Sequence, residues 1–229
     1  MSTKESKSLQ FNEVSWKASY LGEQVILLEC PKDTPIEIIH RSVRIIEAEL
    51  QNGLKDIVPA YHSIAIFGEC SIEDLQERLS GKSSKATHEK QFRKTIKLPI
   101  CYELGLDLDR VSKHTGLSVE DIIDMHLKGT YRSVFIGFTP GFIYADGLNP
   151  QIACPRLENP RQKIPNGSVG IAGNQTGIYS LASPGGWNII GRTPKKIFDV
   201  SNDPPMLIDV GMSYKFFRIT KEEFEAWEK

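Results

Sequence analysis

The sequence of 229 residues lacks the patterns by which several common protein classes are recognised. Its four cysteines are far apart and no two are spaced C-x-x-C, which argues against a structural zinc site and gives no disulfide pattern. It has no G-x-G-x-x-G, H-E-x-x-H or G-x-S-x-G motif, so dinucleotide-binding folds, zinc proteases and α/β-hydrolases find no support. A lone Gly-Lys-Ser at 81–83 lacks the first glycine of a phosphate loop and predicts a loop tip. No metal site is predicted.

Long apolar runs and an excess of one charge are also missing. No stretch approaches the ~20 apolar residues that span a bilayer, and the first ten residues lack the apolar core of a secretory signal. With a net charge of −1, the chain has no excess of positive charge with which to bind nucleic acid or anionic lipid. We therefore expect a soluble, cytoplasmic protein that binds neither nucleic acid nor membrane.

Glycine and proline are concentrated in one part of the chain. Ten of the 18 glycines and seven of the 13 prolines fall between residues 137 and 194, where only six residues are charged. The same stretch contains five aromatic side chains, which give it apolar area to pack: Phe138, Phe142, Tyr144, Tyr179 and Trp187. This composition predicts ordered loops on a β scaffold, and a functional surface built from them.

The chain is long enough for two domains, and its pattern predicts an α+β fold. Residues 15–79 alternate strand-like and helix-like segments, with a helix that begins near Pro35 and for which Thr34 is a candidate cap. We predict a small α+β sandwich domain over residues 1–85 and a β-barrel domain over residues 95–229. The segment 80–94 loses its apolar period and is predicted to be the boundary.

The second domain is predicted to open with a strand at 95–102 and two short helices that resemble a helix-turn-helix. The second of these helices begins with Glu120, Asp121 and Asp124, which would repel phosphates, so DNA binding is not supported. Beyond it the pattern predicts short strands joined by Gly/Pro turns, which is typical of a β-barrel or closed sandwich. These strands are predicted at 131–136, 168–172, 187–193, 206–210 and 214–219, with one or two final amphipathic turns at 221–227.

Four charged or titratable residues are candidates for chemistry. His126 follows Met125 on the second short helix and could serve as a general acid or base, or as a structural histidine. Arg156, Arg161 and Arg192 lie among loop glycines and prolines, where a clamp for a carboxylate or phosphate would be placed. The simpler interpretation of each arginine is a surface residue or an ion-pair partner of Asp146 or Glu158.

Neutral residues are the second group of candidates. Gln175, Thr176 and Tyr179 could donate hydrogen bonds to an amide-like ligand, or could hold turn geometry. Asp107 is interpreted most simply as a helix N-cap.

Ordered motifs along the second half of the chain resemble the family of 5-oxoprolinase B subunits, also called PxpB or KipI-like and formerly allophanate hydrolase subunit 1. They are PICY at 99–102, GFTPGF at 137–142, PNGSVGIAG at 165–173, QTGIY at 175–179, SPGGW at 183–187 and IGRT at 190–193. The resemblance implies a small N-terminal α+β domain followed by a cyclophilin-like β-barrel. Where members usually have Pro-Gly-Asp before the last strand, this sequence has residues 209–212, DVGM.

The resemblance also implies a function. The chain would be one component of an ATP-dependent 5-oxoprolinase, which cleaves 5-oxo-L-proline to L-glutamate. The other components would be PxpA-like and PxpC-like (or KipA-like), and this chain alone is expected to be inactive. The expected catalytic residues, at a pocket shared with the PxpC-like component, are His126, Arg161, Gln175 and Arg192, with Thr176, Tyr179 and Arg156 binding substrate. The alternative is a KipI-like inhibitor of a sensor histidine kinase.

Overall fold

The computed structural model describes residues 6–50, 53–83 and 95–227. Its contacts divide the chain into two compact units, Met1–Thr87 and His88–Lys229. Most of the boundary segment predicted at 80–94 lies outside the described residues. Within the described ranges, no helix is long and apolar enough to cross a membrane.

The first unit is a five-stranded antiparallel sheet with two helices. Its elements are β1 (Lys7–Phe11), β2 (Val14–Tyr20), β3 (Val25–Glu29), α1 (Ile36–Glu49), β4 (Leu54–Pro59), β5 (Ser63–Gly68) and α2 (Ile72–Leu79), with strand order β1-β2-β3-β5-β4. Alternate residues of β2 are buried, with Trp16 and Ala18 fully so, and Ile39 and Ile46 of α1 join the same core. The helix predicted near Pro35 is confirmed, but the cap at Thr34 is wrong. Pro35 precedes the first turn, and no side chain caps it.

The second unit is a nearly closed β-barrel with helices. Its strands are β6 (Ile96–Ile100), β7 (Tyr131–Ile136), β8 (Ile143–Asp146), β9 (Arg161–Ile164), β10 (Ser168–Ala172), β11 (Gln175–Ile178), β12 (Ser183–Gly185), β13 (Asn188–Arg192) and β14 (Ser213–Arg218). Its helices are α3 (Leu108–Thr115), α4 (Val119–Lys128) and α5 (Lys221–Trp227), with 3₁₀ turns at Tyr102–Leu104 and Pro150–Ile152.

Seven of these strands form one sheet in the order β13-β10-β11-β8-β7-β14-β6, and β9 pairs with β12 separately. Cys101, directly after β6, exchanges two backbone hydrogen bonds of 2.8 and 2.9 Å with Arg192 at the end of β13. These bonds join the two edge strands and bring the sheet close to closure. The predicted α+β fold with a β-barrel is therefore confirmed.

The interior of the barrel is filled by apolar residues that alternate along the strands. Val169 and Ile171 of β10 lie in the same buried cluster as Ile143 and Ala145 of β8. Helix α4 begins directly after its N-cap residue Ser118, whose hydroxyl accepts a hydrogen bond from the Asp121 N–H. These elements place the loops that follow α4 and β8 on a rigid support.

One predicted strand is wrong. Residues 206–210 contain only an isolated bridge between Phe198 and Met206. Pro204 and Pro205 come directly before this segment and have no N–H to donate to a ladder, which opposes a regular strand there.

Candidate functional site

A buried carboxylate and an arginine form a two-bond ion pair in the second unit. Asp107 is 5% exposed and accepts two parallel hydrogen bonds from Arg161, of 2.9 Å from Nη1 to Oδ2 and 2.7 Å from Nη2 to Oδ1. The Arg161 side chain is 30% exposed, so part of its guanidinium reaches solvent. A bidentate pair of this kind fixes the plane of the guanidinium as well as its position.

Backbone contacts hold Asp107 in place against the barrel. Its N–H donates to the Ile189 carbonyl at 2.9 Å, and its Oδ2 accepts from the Ile189 N–H at 2.7 Å. Two residues earlier, a Cβ on Gly105 would lie 2.4 Å from the Ile190 carbonyl oxygen, so only glycine allows the chain to pass this close to β13. The carboxylate is thus fixed by three donors from two different parts of the barrel.

Asp107 occupies the N-cap position of α3, as predicted, but it does not cap the helix with its side chain. Its carboxylate is turned toward Arg161 and Ile189 instead. The interpretation of Asp107 as a simple capping residue is therefore wrong. A guanidinium offers two charge-assisted bonds, which outweigh the single backbone bond of a cap.

A second arginine lies beside this pair on α3. Arg110 Nη1 donates to the Pro155 carbonyl at 3.1 Å, lies 3.1 Å from the Cys154 sulfur, and donates to Oδ1 of Asn188. Asn188 is fully buried and donates from Nδ2 to the carbonyls of Ile171 and Pro155, at 3.0 and 2.9 Å. Burial raises the pKa of the Cys154 thiol. This network fixes the start of the loop that leads to Arg156 and Arg161.

Aromatic side chains form a cluster next to the two loop arginines. Phe142, Tyr179 and Trp187 are buried and meet edge to face, with ring centroids 4.8 to 5.5 Å apart. The guanidinium of Arg156 lies 5.7 Å from the centre of the Trp187 ring, and Tyr144 packs on the same cluster. We call Arg156, Arg161, Tyr144, Tyr179 and Trp187 the arginine–aromatic face.

Tyr179 is the titratable group in the centre of this face. Burial raises its pKa to about 12, against the lowering effects of the Trp187 backbone hydrogen bond and of Arg156 and Arg161. The phenol is therefore protonated at neutral pH, and it can donate or accept a hydrogen bond. It is not a base under those conditions.

The structure brings three of the predicted residues together: Arg156, Arg161 and Tyr179. Thr176 is fully buried, and its hydroxyl donates to the Gly170 carbonyl at 3.0 Å. Gln175 lies at the hairpin end of β11, opposite Ala172, whereas Arg192 lies opposite Ser168 at the other end of β10. Four residues of strand separate those two positions by roughly 13 Å, so Gln175 and Arg192 do not share one small pocket.

His126 is placed in the core, away from that face. Its ring is fully buried and stacks on Phe216, with centroids 5.0 Å apart. Its Nδ1 shares a hydrogen bond of 2.6 Å with the Tyr102 hydroxyl, and its carbonyl accepts from the Tyr131 hydroxyl at 2.7 Å. Burial lowers its pKa to about 3, so the imidazole is neutral at physiological pH. In this position it supports packing and does not reach a dissolved substrate.

The comparisons with known proteins agree with one another. The family model for the carboxyltransferase domain, subdomain C and D, matches residues 16–208. A 5-oxoprolinase B subunit of Bacillus subtilis (strain 168) is 33% identical over 94% of this chain and 98% of its own length. The chain belongs to the family of 5-oxoprolinase B subunits.

Two further comparisons extend this result. A 5-oxoprolinase B subunit of Escherichia coli O157:H7 is 34% identical over 86% of this chain and 93% of its own length. The crystal structure of a conserved uncharacterized protein from Pyrococcus horikoshii is 38% identical, covers 90% of this chain and 99% of its own, and has a TM-score of 0.57.

For this family member, sequence reasoning missed Arg110 and Asn188, and it gave Asp107 the wrong role. A usable signal existed for Arg110, because Asp107 and Arg110 are three residues apart at the start of a helix and so lie on one side of it. No local sequence pattern indicates the role of Asn188, because its hydrogen-bond partners come from other segments of the chain. Among the described residues, no group of three His, Cys, Asp or Glu side chains could hold a metal ion.

Proposed function

We propose that this chain is the B subunit of an ATP-dependent, cytoplasmic 5-oxoprolinase, which opens 5-oxo-L-proline to L-glutamate together with PxpA-like and PxpC-like subunits. The observation that carries the proposal is the match, at 33 and 34% identity over most of the chain, to relatives named as B subunits of 5-oxoprolinase. The arginine–aromatic face supports it by offering groups that suit a small carboxylate with a cyclic amide.

The reaction needs an activated amide. Water adds to the lactam carbonyl and the C–N bond breaks, which leaves the γ-carboxylate and the free amine of glutamate. An amide is a poor electrophile, so transfer of a phosphoryl group from ATP to the amide oxygen, with release of ADP, would activate the carbonyl carbon, and inorganic phosphate would be released as hydrolysis is completed. The role proposed for this chain is to hold the substrate carboxylate while that chemistry occurs.

Arg161 is the residue that we assign to the substrate carboxylate. A guanidinium has five N–H groups, of which Asp107 takes two, and the side chain is 30% exposed. The remaining N–H groups can bind an anion from solvent. Because Asp107 already fixes the guanidinium plane, little side-chain entropy is lost when the substrate binds.

The site is incomplete without other chains. Guanidinium groups do not deprotonate in proteins, and burial raises the pKa of Tyr179 to about 12, so none of these groups on the described part of the arginine–aromatic face serves as a base at neutral pH. Asp107 is held in its ion pair. We therefore assign the proton transfers and the handling of ATP to the assembled complex, and expect no turnover from this chain alone.

The test is reconstitution with the PxpA-like and PxpC-like subunits, followed by measurement of glutamate formation and ATP hydrolysis. Arg161→Lys keeps the charge but loses the planar, two-bond contact with Asp107, so we expect KM for 5-oxo-L-proline to rise about tenfold or more, equivalent to about 1.4 kcal/mol.

Arg218→Lys is the matched control for that variant. Arg218 also forms a two-bond pair with a carboxylate, that of Glu120, but both side chains of this pair are exposed, and Arg218 lies at the end of β14. Its KM should equal that of the wild type. Absence of glutamate formation in the complete mixture would reject the proposal, and inhibition of a sensor kinase by the purified chain would support the KipI-like alternative.

A further inference from the structure

Arg156 differs from Arg161 in having no charged partner within the described part of the chain. Its guanidinium lies 5.7 Å from the centre of the Trp187 ring, and the residue is exposed. Glu158, two residues later, is also exposed, and the described structure contains no ion pair between it and Arg156. An aromatic ring attracts a cation but carries no net charge of its own. The positive charge of Arg156 is therefore available to a ligand from solvent.

The backbone on both sides of Arg156 is fixed by hydrogen bonds. Arg110 Nη1 donates to the carbonyl of the preceding residue, Pro155, at 3.1 Å. The N–H of the following residue, Leu157, donates to the Gly186 carbonyl at 2.7 Å. The loop therefore presents the guanidinium from a rigid support, and a ligand that binds there has little backbone to order.

The segment that anchors Arg156 also places Arg161. In the ladder between β12 and β9, Gly185 is the partner of Arg161, and Gly185 directly precedes the residue that binds the Leu157 N–H. A Cβ on Gly185 would collide with the Tyr179 hydroxyl oxygen, so this hydroxyl lies against the same segment. Burial raises the pKa of Tyr179, and both arginines lower it. The two guanidinium groups thus act on one phenol, from two places beside one short strand.

Tyr144 adds a neutral hydrogen-bonding group beside Arg156. Its ring meets the Trp187 ring edge to face, with centroids 5.7 Å apart, and its side chain is half-buried. Burial raises the pKa of Tyr144, and Arg156 lowers it, so the phenol is a protonated donor near the guanidinium at neutral pH. A cation and a hydroxyl in this arrangement suit an oxygen anion.

We propose that Arg156 binds the second acidic group of a short dicarboxylate whose first carboxylate binds Arg161. Two guanidinium groups at separate places suit a ligand with two carboxylates better than a ligand with one, because each carboxylate can accept its own charge-assisted hydrogen bonds. Arg156 is thus a specificity-determining residue of the arginine–aromatic face.

The length of the expected ligand rests on the proposed function. When water opens the lactam of 5-oxo-L-proline, the amide carbon becomes a second carboxylate and the ring nitrogen becomes an ammonium group. The ring-opened form therefore has two carboxylates joined by a five-carbon chain. Arg156 makes a charged contact with this form that the closed lactam, with its single carboxylate, does not offer.

The test is an NMR titration of the full chain, labelled with ¹⁵N in its tryptophan indoles, with glutarate and with pentanoate. Glutarate has the two carboxylates and five carbons without an ammonium group, and pentanoate has a methyl group in place of one carboxylate. We expect saturable binding of glutarate that shifts the Trp187 indole signal, is about tenfold tighter than that of pentanoate, and weakens with added salt. The Trp187 signal is identified by its absence in Trp187→Phe.

Variants make the location specific. Arg156→Gln should weaken glutarate binding about tenfold and bring it close to that of pentanoate, because the contact to the second carboxylate is lost. Arg218→Gln is the matched control, since it removes the same side chain and charge from an exposed position at the end of β14. Circular dichroism would verify that both variants fold.

Four outcomes would overturn the proposal. They are the absence of saturable glutarate binding, equal affinities for glutarate and pentanoate in the unsubstituted chain, unchanged glutarate binding in R156Q, and an equal loss of affinity in R156Q and R218Q.

These outcomes are separate from a failure of the proposed function, because the titration needs neither partner subunits nor turnover. A glutarate preference that depends on Arg156, in a chain whose reconstituted complex forms no glutamate, would keep the dicarboxylate site and reject the 5-oxoprolinase. Glutamate formation by the complex without that preference would do the reverse.

Discussion

Two polar pairs connect the segment before α4 to the rest of the second unit, and they differ in charge. In one, the buried Asp107 carboxylate faces the Arg161 guanidinium, which is partly open to solvent. In the other, the Tyr102 hydroxyl and the His126 imidazole share a hydrogen bond inside the core, and both groups are neutral. The first pair is therefore an ion pair, whereas the second is a hydrogen bond between neutral groups.

This difference follows from the cost of taking a charge out of water. A charge inside the protein must be paired and hydrogen-bonded, or the group shifts its pKa and becomes neutral. The Asp107 carboxylate faces a guanidinium and accepts hydrogen bonds from three N–H groups, which is the arrangement that a buried charge needs. His126 has one partner at Nδ1 and none at Nε2 within the described structure, so protonation is disfavoured. Only the first pair can therefore attract an anionic ligand.

Replacement of Asp107 by Ala should give the largest effect on stability. It removes the partner of Arg161 and leaves the Ile189 N–H without its acceptor, so we expect the free energy of unfolding to fall by about 3 kcal/mol, near the lower end for a buried pair because Arg161 is partly exposed. Urea unfolding measures this change. Asp109→Ala removes the same charge from an exposed position and should lower the free energy of unfolding by less than about 1 kcal/mol. An equal loss of stability in both variants would contradict the prediction that the pairing of Asp107 matters more than its charge.

The neutral state of His126 predicts a dependence of stability on pH. Between about pH 6.5 and its folded-state pKa of about 3, His126 binds a proton when the chain is unfolded but not when it is folded, so stability falls as the pH is lowered. Its contribution to the slope approaches about 1.4 kcal/mol per pH unit. We expect His126→Gln to remove this contribution, as measured by urea unfolding at several pH values.

A histidine on the surface provides the control for that experiment. His114 is exposed on the last turn of α3, so His114→Gln should leave the wild-type slope unchanged. A wild-type slope in His126→Gln would show that the imidazole titrates normally in the folded protein.

Loss of the Tyr102 hydroxyl should have the smallest effect of the three. Tyr102→Phe leaves Nδ1 of His126 without its partner, and a buried unsatisfied group of this kind costs about 1–2 kcal/mol. Thermal and urea unfolding measure the change. Tyr144→Phe deletes the same hydroxyl where the ring is only half-buried and should cost under about 0.5 kcal/mol. If Tyr102→Phe lowered stability as little as Tyr144→Phe, the hydrogen bond to His126 would not contribute to the stability of the fold.

Much of the local structure could be predicted because its signals are contiguous in the chain. The Ser118 cap and the left-handed Gly116 define the ends of two helices through bonds within a few residues. The strand at 131–136 matches β7, and the amphipathic turns predicted at 221–227 coincide with α5. The arginines of the 137–194 stretch could be selected from their chemistry, but their partners could not.

The sequence by itself therefore determined the α+β class, most of the strands and helices, and the resemblance to the family of 5-oxoprolinase B subunits, because these depend on the spacing of apolar residues, on turn residues and on ordered motifs. Only the tertiary structure decided that Asp107 pairs with Arg161, 54 residues away, and that His126 is buried and neutral. The physical reason is that charge pairing and desolvation depend on distances between remote segments, which no local pattern records.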